Sequence, residues 1–255
     1  MYIDTHAHLY SEQFNDDQND MVQRAIDANV QKMFLPNIDS TTIPAMHQLC
    51  EKFPNHCYPM MGLHPCSVKG DYKKELEIVK KQIDEQKYFG VGETGIDLYW
   101  DTTFKVEQIE AFKFQINLAK ENNLPIIIHS RESLDMTIQI IEESQDGNLR
   151  GVFHCFNGSI AQSKKIVDLN FMMGLGGVIT FKNANLDEMI KELPCEKIIL
   201  ETDAPYLSPV PYRGKRNESA YIPLVAQKLS EIRNEVIGSI MSYTTENASK
   251  LFGIS

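Results

Sequence analysis

Several things that would place this chain outside a cell, in a membrane or along duplex nucleic acid are missing from it. Its cysteines, Cys50, Cys57, Cys66, Cys155 and Cys195, form no C-x-x-C pair and leave an odd one over. That argues against a disulfide framework and for a reducing cytoplasm. No apolar run reaches the length of a membrane span, so no membrane association is expected. The N-terminus has neither the basic segment nor the apolar stretch of a secretory signal. No Pro/Gly/Ser-rich linker, repeat or low-complexity tract divides the sequence, and one domain over residues 1–255 is the economical reading. Positive charge is scarce: 25 Lys and Arg stand against 35 Asp and Glu, a net charge of −10. That argues against a broad electrostatic grip on duplex nucleic acid, which needs a basic face. It does not exclude a polyanion held by metal ions and a few local cations. Nothing in the pattern calls for an obligate protein partner.

What is present is alternation. Short apolar runs read as strands at Tyr2–Thr5, Lys32–Leu35, Tyr58–Gly62, Gly90–Glu93, Pro125–His129, Gly151–His154, Phe171–Leu175 and Lys197–Glu201. Several are continuously apolar, as parallel strands buried on both faces must be. Helical patterns lie between them at Asp17–Ala28, Thr42–Glu51, Lys74–Glu85, Lys105–Glu121, Leu134–Glu143, Ala161–Leu169 and Leu186–Glu192. Ser219–Leu229 and Thr244–Leu251 follow the last strand. In Lys105–Glu121, Ile109, Phe112, Ile116 and Ala119 form one stripe toward the core. Eight strands alternating with helices fit an α/β fold of the TIM (β/α)8 barrel type, and 255 residues suit it. An open doubly wound sheet is the runner-up. The barrel is preferred because polar residues end strands early and late in the chain, and a barrel gathers all those ends at one mouth.

Those ends carry metal-ligand chemistry. His6 and His8 lie two residues apart after the first run, so both side chains can point the same way. His129 and His154 end two further strands, and Glu93 and Asp203 end two more. Any one of these is more simply a hydrogen-bonded core residue or a salt-bridge group. Six together are costly to bury without a cation. Imidazole with carboxylate suits Zn, Mn, Fe or Co, and Mg less well. Six groups exceed what one tetrahedral ion needs, so two divalent ions bridged by Glu93 are expected, activating a water for hydrolysis. His64, in Gly62-Leu63-His64-Pro65, and Arg131, beside His129, are candidate substrate contacts; a loop hydrogen bond and a rim salt bridge are the simpler alternatives. Tyr212, Arg213, Lys215 and Arg216 form the one dense basic run, placed by sequence order near the mouth. An aromatic among cations suits a phosphodiester with stacked bases, although a solvated face is the usual meaning of such a run. Cys155, next to His154, should point the other way, into the helix layer, as a small buried hydrophobe.

Read together, these residues resemble the TatD family of metal-dependent hydrolases, often called deoxyribonucleases. The likeness runs through Ile3–Leu9, Gly62–Pro65, Gly92–Asp97, Leu124–Arg131, Gly151–Ser159 and Leu200–Leu207, and on through Pro211–Asn217 to Thr244–Ala248. Where the family often has Gly-Leu-Asp after the glutamate, this chain has Gly95-Ile96-Asp97. The resemblance implies a TIM barrel and a site for two divalent metals held by His6, His8, Glu93, His129, His154 and Asp203. It also implies hydrolysis of DNA phosphodiester bonds by a metal-activated water, with Asp203 and Glu93 as the catalytic carboxylates. A 3′–5′ exonuclease acting on single-stranded DNA or 3′ ends is the expected form. The competing enzyme reading is an amidohydrolase-type barrel acting on a small amide, lactone or aminopurine. Such barrels often bridge their metals with a carbamylated lysine at the end of strand four, where this chain has Glu93. A metal-stabilised scaffold without turnover is the third reading.

Overall fold

The structure is a computed structural model and describes residues 1–254. Eight strands follow one another as β1 (Tyr2–Asp4), β2 (Val30–Pro36), β3 (Cys57–Met60), β4 (Val91–Asp97), β5 (Ile126–Arg131), β6 (Gly151–Phe153), β7 (Met172–Leu175) and β8 (Ile198–Leu200). Helices α1 (Gln18–Asp27), α2 (Ile43–Lys52), α3 (Tyr72–Glu85), α4 (Lys105–Glu121), α5 (Leu134–Ser144), α6 (Ile160–Asp168) and α7 (Asp187–Glu192) separate them, and α8 (Ile222–Arg233) and α9 (Ile237–Phe252) come last. All eight expected strands and all nine helical segments are found. The chief difference is α9, which begins well before the expected Thr244. Its opening residue Ile237 is exposed, as is Val236 before it, so the first turn shows no apolar stripe in the sequence. Among the described residues no helix is long and apolar enough to cross a membrane.

The strands are all parallel and pair in sequence order. They form two arcs, β1–β3 and β4–β8. Single parallel bridges close both seams, Met61 with Val91 and Ala7 with Ala204. The second seam is reinforced by Asp4, fully buried, whose Oδ1 accepts the Thr202 N–H and whose Oδ2 accepts the hydroxyls of Thr202 and Ser219. The result is the (β/α)8 barrel expected from the alternation.

Side-chain alternation sorts the core. Ile126 and Ile128 pack outward against the helices, while Ile127 points inward with Ile3, Phe34, Met60, Val152 and Ile199. The inward group is completed by Ala248, Leu251 and Phe252 of α9. The Phe252 ring stacks on Phe34 with centroids 3.9 Å apart. The final helix thus plugs the barrel floor, and truncating the fully buried Phe34 to alanine would cost about 3–5 kcal/mol.

At the other end, α4 positions β4. Two buried glutamines interrupt its apolar stripe. Gln115 accepts from Leu63 N–H and donates to Thr94 Oγ1, and Gln108 bonds both the N–H and the carbonyl of Asp97. These hydrogen bonds carry β4 past the expected end at Glu93 to Asp97. They also satisfy backbone groups at the β3–β4 seam, where a single bridge joins Met61 to Val91 and Gln115 bonds both the N–H and the carbonyl of Leu63.

A candidate metal centre at the barrel mouth

The six expected ligands converge at the C-terminal ends of the strands, and Glu93 lies in the middle. Its Oε2 is 3.1 Å from His6 Nε2 and 3.3 Å from His8 Nε2. Its Oε1 is 2.7 Å from His129 Nδ1 and 2.8 Å from His154 Nε2. Asp203 Oδ1 lies 3.7 Å from both His6 Nε2 and His8 Nε2. One carboxylate therefore turns one oxygen to each of two donor groups. His6, His8 and Asp203 stand close enough to share one ion, and His6, Glu93 and His154 form a second such group. His129 groups with Glu93 and His64.

Hydrogen bonds around the site settle which nitrogen each ring offers. Tyr10 donates its hydroxyl proton to the Pro36 carbonyl, so it accepts from His8 Nδ1–H at 3.1 Å and leaves the His8 Nε2 lone pair facing Glu93. Asp97 Oδ2 lies 2.9 Å from His129 Nε2, which turns His129 Nδ1 inward. His64 accepts the Cys66 N–H at Nδ1, so its Nε2 is an N–H donor aimed at Glu93 Oε1, 3.4 Å away. These partners fix ring orientation as second-layer carboxylates and hydroxyls do around bound metals.

The donor set fits divalent cations. The His8 Nε2 lone pair faces a carboxylate oxygen that is itself an acceptor. His129 is set with one nitrogen on Glu93 and the other on Asp97; burial would lower its pKa, but the hydrogen bonds to Asp97 and Glu93 outweigh burial and raise it. His6 Nδ1, His154 Nδ1 and Glu201 Oε2 are buried without a hydrogen-bond partner. Positive charge at the centre would resolve both the crowding of acceptors and the burial of two carboxylates. Burial alone would raise Glu93, but the imidazoles of His154, His64 and His6 together hold it well below the usual carboxylate range. Burial pushes Asp203 up to about 6, against the pull of His154 and His8. Burial, with the neighbouring His154, lowers His6 to about 3, so its ring is neutral and ready to ligate at any ordinary pH.

A cavity of about 690 Å³ opens over these groups, with His64, Arg131, Cys155 and Asp203 in its wall. Arg131 ends β5 and makes no ion pair among the described residues. The basic run is placed elsewhere: Tyr212, Arg213, Lys215 and Arg216 do not line this cavity. Arg216 is paired with Asp17 at 2.7 Å, Tyr212 stacks on Tyr221 at 4.3 Å, and the Arg213 guanidinium lies 3.7 Å over the Phe181 ring. Buried Asn217, donating to the carbonyls of Thr202 and Tyr206, pins the run against the α1 side. Only Arg213 and Lys215 keep exposed cations there. Cys155 also departs from expectation. Strand β6 stops at Phe153 and Cys155 takes φ 47°, so strand alternation no longer applies and its side chain joins the cavity wall.

Two carboxylates matter more than the sequence alone suggests. Asp97 holds His129. Glu201, fully buried, accepts the Cys155 N–H and lies 3.6 Å from His154 Nδ1. Its carboxylate rests where Gly174 has no side chain; a Cβ there would sit 2.1 Å from Glu201 Oε2. Glu201 shares strand parity with inward-facing Ile199, and that was the available signal.

The family described as TatD related DNase matches residues 3–253. The chain is 38% identical over 256 residues to a Bacillus subtilis protein named uncharacterized metal-dependent hydrolase YabD, covering 100% of both. It is 29% identical to the 3'-5' ssDNA/RNA exonuclease TatD of Escherichia fergusonii, covering 99% of each chain. The crystal structure of YjjV, a TatD homologue from Escherichia coli K12, superposes with a TM-score of 0.94 at 30% identity, covering 100% of this chain and 98% of that one. With its barrel, its convergent histidines and carboxylates and these matches over nearly its whole length, the chain belongs to the TatD family of metal-dependent hydrolases.

Proposed function

We propose that this hydrolase cleaves phosphodiester bonds of single-stranded DNA, removing nucleotides from 3′ ends. The observation that carries this reading is the pairing of a split donor set around Glu93 with an unpaired cation, Arg131, in the wall of the same cavity. Hydrolysis at a phosphoryl centre needs charge stabilisation on several oxygens at once, and guanidinium is the side chain best shaped to hold two of them. The naming of the E. fergusonii relative as a single-strand exonuclease supports the choice of substrate.

His6, His8 and Asp203 would hold one ion and His129 with His154 the other, with Glu93 between them. When bound, divalent ions supply Lewis acidity and lower the pKa of water. The protein's own groups do the rest. Asp203, the most solvent-open carboxylate of the centre, orients the attacking water and accepts its proton. Its raised basicity suits that task. Arg131 and the His64 N–H bind non-bridging oxygens of the phosphate. The fixed tautomers of His8, His129 and His64 keep this geometry without rearrangement during the reaction.

Against the amidohydrolase reading, the cavity wall carries, among the described residues, no lysine that could be carbamylated to bridge two metals. Lys87, the nearest lysine to β4, lies over the Phe89 ring, away from the cavity. The test is end-labelled single-stranded DNA incubated with the protein and a panel of Zn, Mn, Mg, Fe and Co. A metal-dependent ladder shortening from the 3′ end is expected. No cleavage of DNA or of bis-p-nitrophenyl phosphate with any metal, alongside turnover of an amide, lactone or aminopurine, would replace this reading with the other.

A further inference from the structure

The turn after β4 presents two large aromatic rings to solvent, and burial does not explain them. Trp100 is 70% exposed and Tyr99 54%. They meet edge to face with centroids 4.9 Å apart. The Arg131 guanidinium lies 3.7 Å over the Tyr99 ring and 5.2 Å from Trp100. Trp100 and Arg131 share the wall of the cavity that contains Glu93, His129 and Asp203. The turn is held in place: the N–H groups of Tyr99 and Trp100 both donate to Asp97 Oδ1, at 2.9 and 3.3 Å, and the Leu98 N–H donates to the Arg131 carbonyl at 3.0 Å. An exposed indole costs solubility, and a rigid turn that displays one beside an unpaired cation is a surface awaiting a flat, anionic ligand.

We propose that Trp100, braced by Tyr99 and Arg131, is a stacking platform for the unpaired nucleobase adjoining the scissile phosphate. This rests on the phosphodiesterase reading and adds to it a base subsite and a cause for single-strand preference. The chemistry is complementary at each point. The indole offers a π-face that any base can cover, worth roughly a 5- to 150-fold change in affinity per stacked base. Arg131, seated over the Tyr99 ring, keeps N–H groups for the phosphate next to that base. In a duplex the base faces are covered by their neighbours and the platform has nothing to stack on. The overall charge of −10 supplies no general attraction for a polyanion, so stacking would supplement the few local cations in holding the strand.

Trp100 is the chain's single tryptophan, so its fluorescence reports the platform alone. The metal-loaded protein is titrated with a short phosphorothioate oligothymidylate, which resists cleavage, and with the same backbone carrying abasic residues. Saturable quenching by the first and none by the second is expected; equal quenching by both, or by neither, overturns the platform. In turnover assays Trp100→Ala should raise KM for a single-stranded oligonucleotide roughly 5- to 150-fold with a smaller change in kcat, and Trp100→Phe should recover most of that loss; bis-p-nitrophenyl phosphate, whose own rings can stack, is used only to report turnover by the wild-type protein. Unchanged KM for the oligonucleotide in Trp100→Ala also overturns the platform. A wild-type protein that hydrolyses neither diester fails the functional reading, and the fluorescence arms still decide the stacking.

Discussion

Asp97 fixes His129: Oδ2 takes the His129 Nε2–H at 2.9 Å, while the other oxygen of the same carboxylate caps the turn that carries Tyr99 and Trp100. A ligand of the metal centre and the rim of the cavity are thus set by one buried group. Burial would raise Asp97, but the His129 hydrogen bond and the turn N–H groups hold it down at about 2, so the group is a full anion at physiological pH. Asp97→Asn keeps the shape and loses the charge. Metal affinity, measured by competition with a chelator, should fall roughly 10- to 100-fold, the usual effect of removing such a partner. Unchanged affinity would show that His129 needs no orienting carboxylate.

Glu93→Gln should empty both metal positions together, because each oxygen of Glu93 faces a different donor group. Metal content after dialysis is the readout. Retention of a full complement would refute the bridging arrangement.

Asp203→Asn separates ligation from proton transfer. If the carboxylate accepts the proton of the attacking water, kcat drops by about 10²-fold or more while KM changes little, at metal concentrations that saturate the variant. A variant with normal kcat and only a weaker hold on metal would leave Asp203 as a ligand and nothing more.

The basic run divides into two jobs. Arg213 and Lys215 have exposed charges, so Arg213→Ala with Lys215→Ala should raise KM for DNA. The pair should also flatten the salt dependence of binding by roughly one slope unit for each phosphate no longer neutralised. Arg216→Ala should instead lower thermal stability, since Arg216 anchors the run on Asp17. Equal salt slopes in the double variant and the wild type would remove the run from substrate binding.

That anchor also has an acid signature. Hydrogen bonds from Arg216 and Arg24 hold Asp17 down at about 2. A carboxylate depressed in the folded state stabilises it above the unfolded pKa of about 3.9, and the gain disappears as pH falls through the folded value. Asp17→Asn should therefore lower Tm by about 1–3 °C at neutral pH, a small effect because the group is partly exposed. The difference from wild type should narrow between about pH 4 and pH 2. A constant difference across that range would mean that altered packing, rather than charge, is responsible.

Strand order and the metal-ligand candidates were legible in the sequence because buried parallel strands read as apolar runs and their ends read as polar exceptions. Ile126–Ile128 followed by His129 shows both signals at once. Asp97 was harder to place, since β4 continues beyond Glu93 to Asp97 and carries two glycines at positive φ, Gly92 and Gly95, which erase the alternation. The placement of the basic run was not legible because proximity in sequence to Asp203 does not fix which way a loop folds; the buried side chain of Asn217 and the ion pair of Arg216 with Asp17 decide that. Trp100 has no periodic partner at all, and only the folded turn shows that it stands at the mouth.

The aromatic stack of Phe252 on Phe34 turns the barrel into a cul-de-sac. Whatever reaches Glu93 arrives through one doorway and must back out of it, since α9 has sealed the other end. A strand cannot run through such an enzyme as thread through an eyelet. On the phosphodiesterase reading proposed above, fragment and fresh end would share that one opening, so each fragment would have to leave before the shortened end could advance.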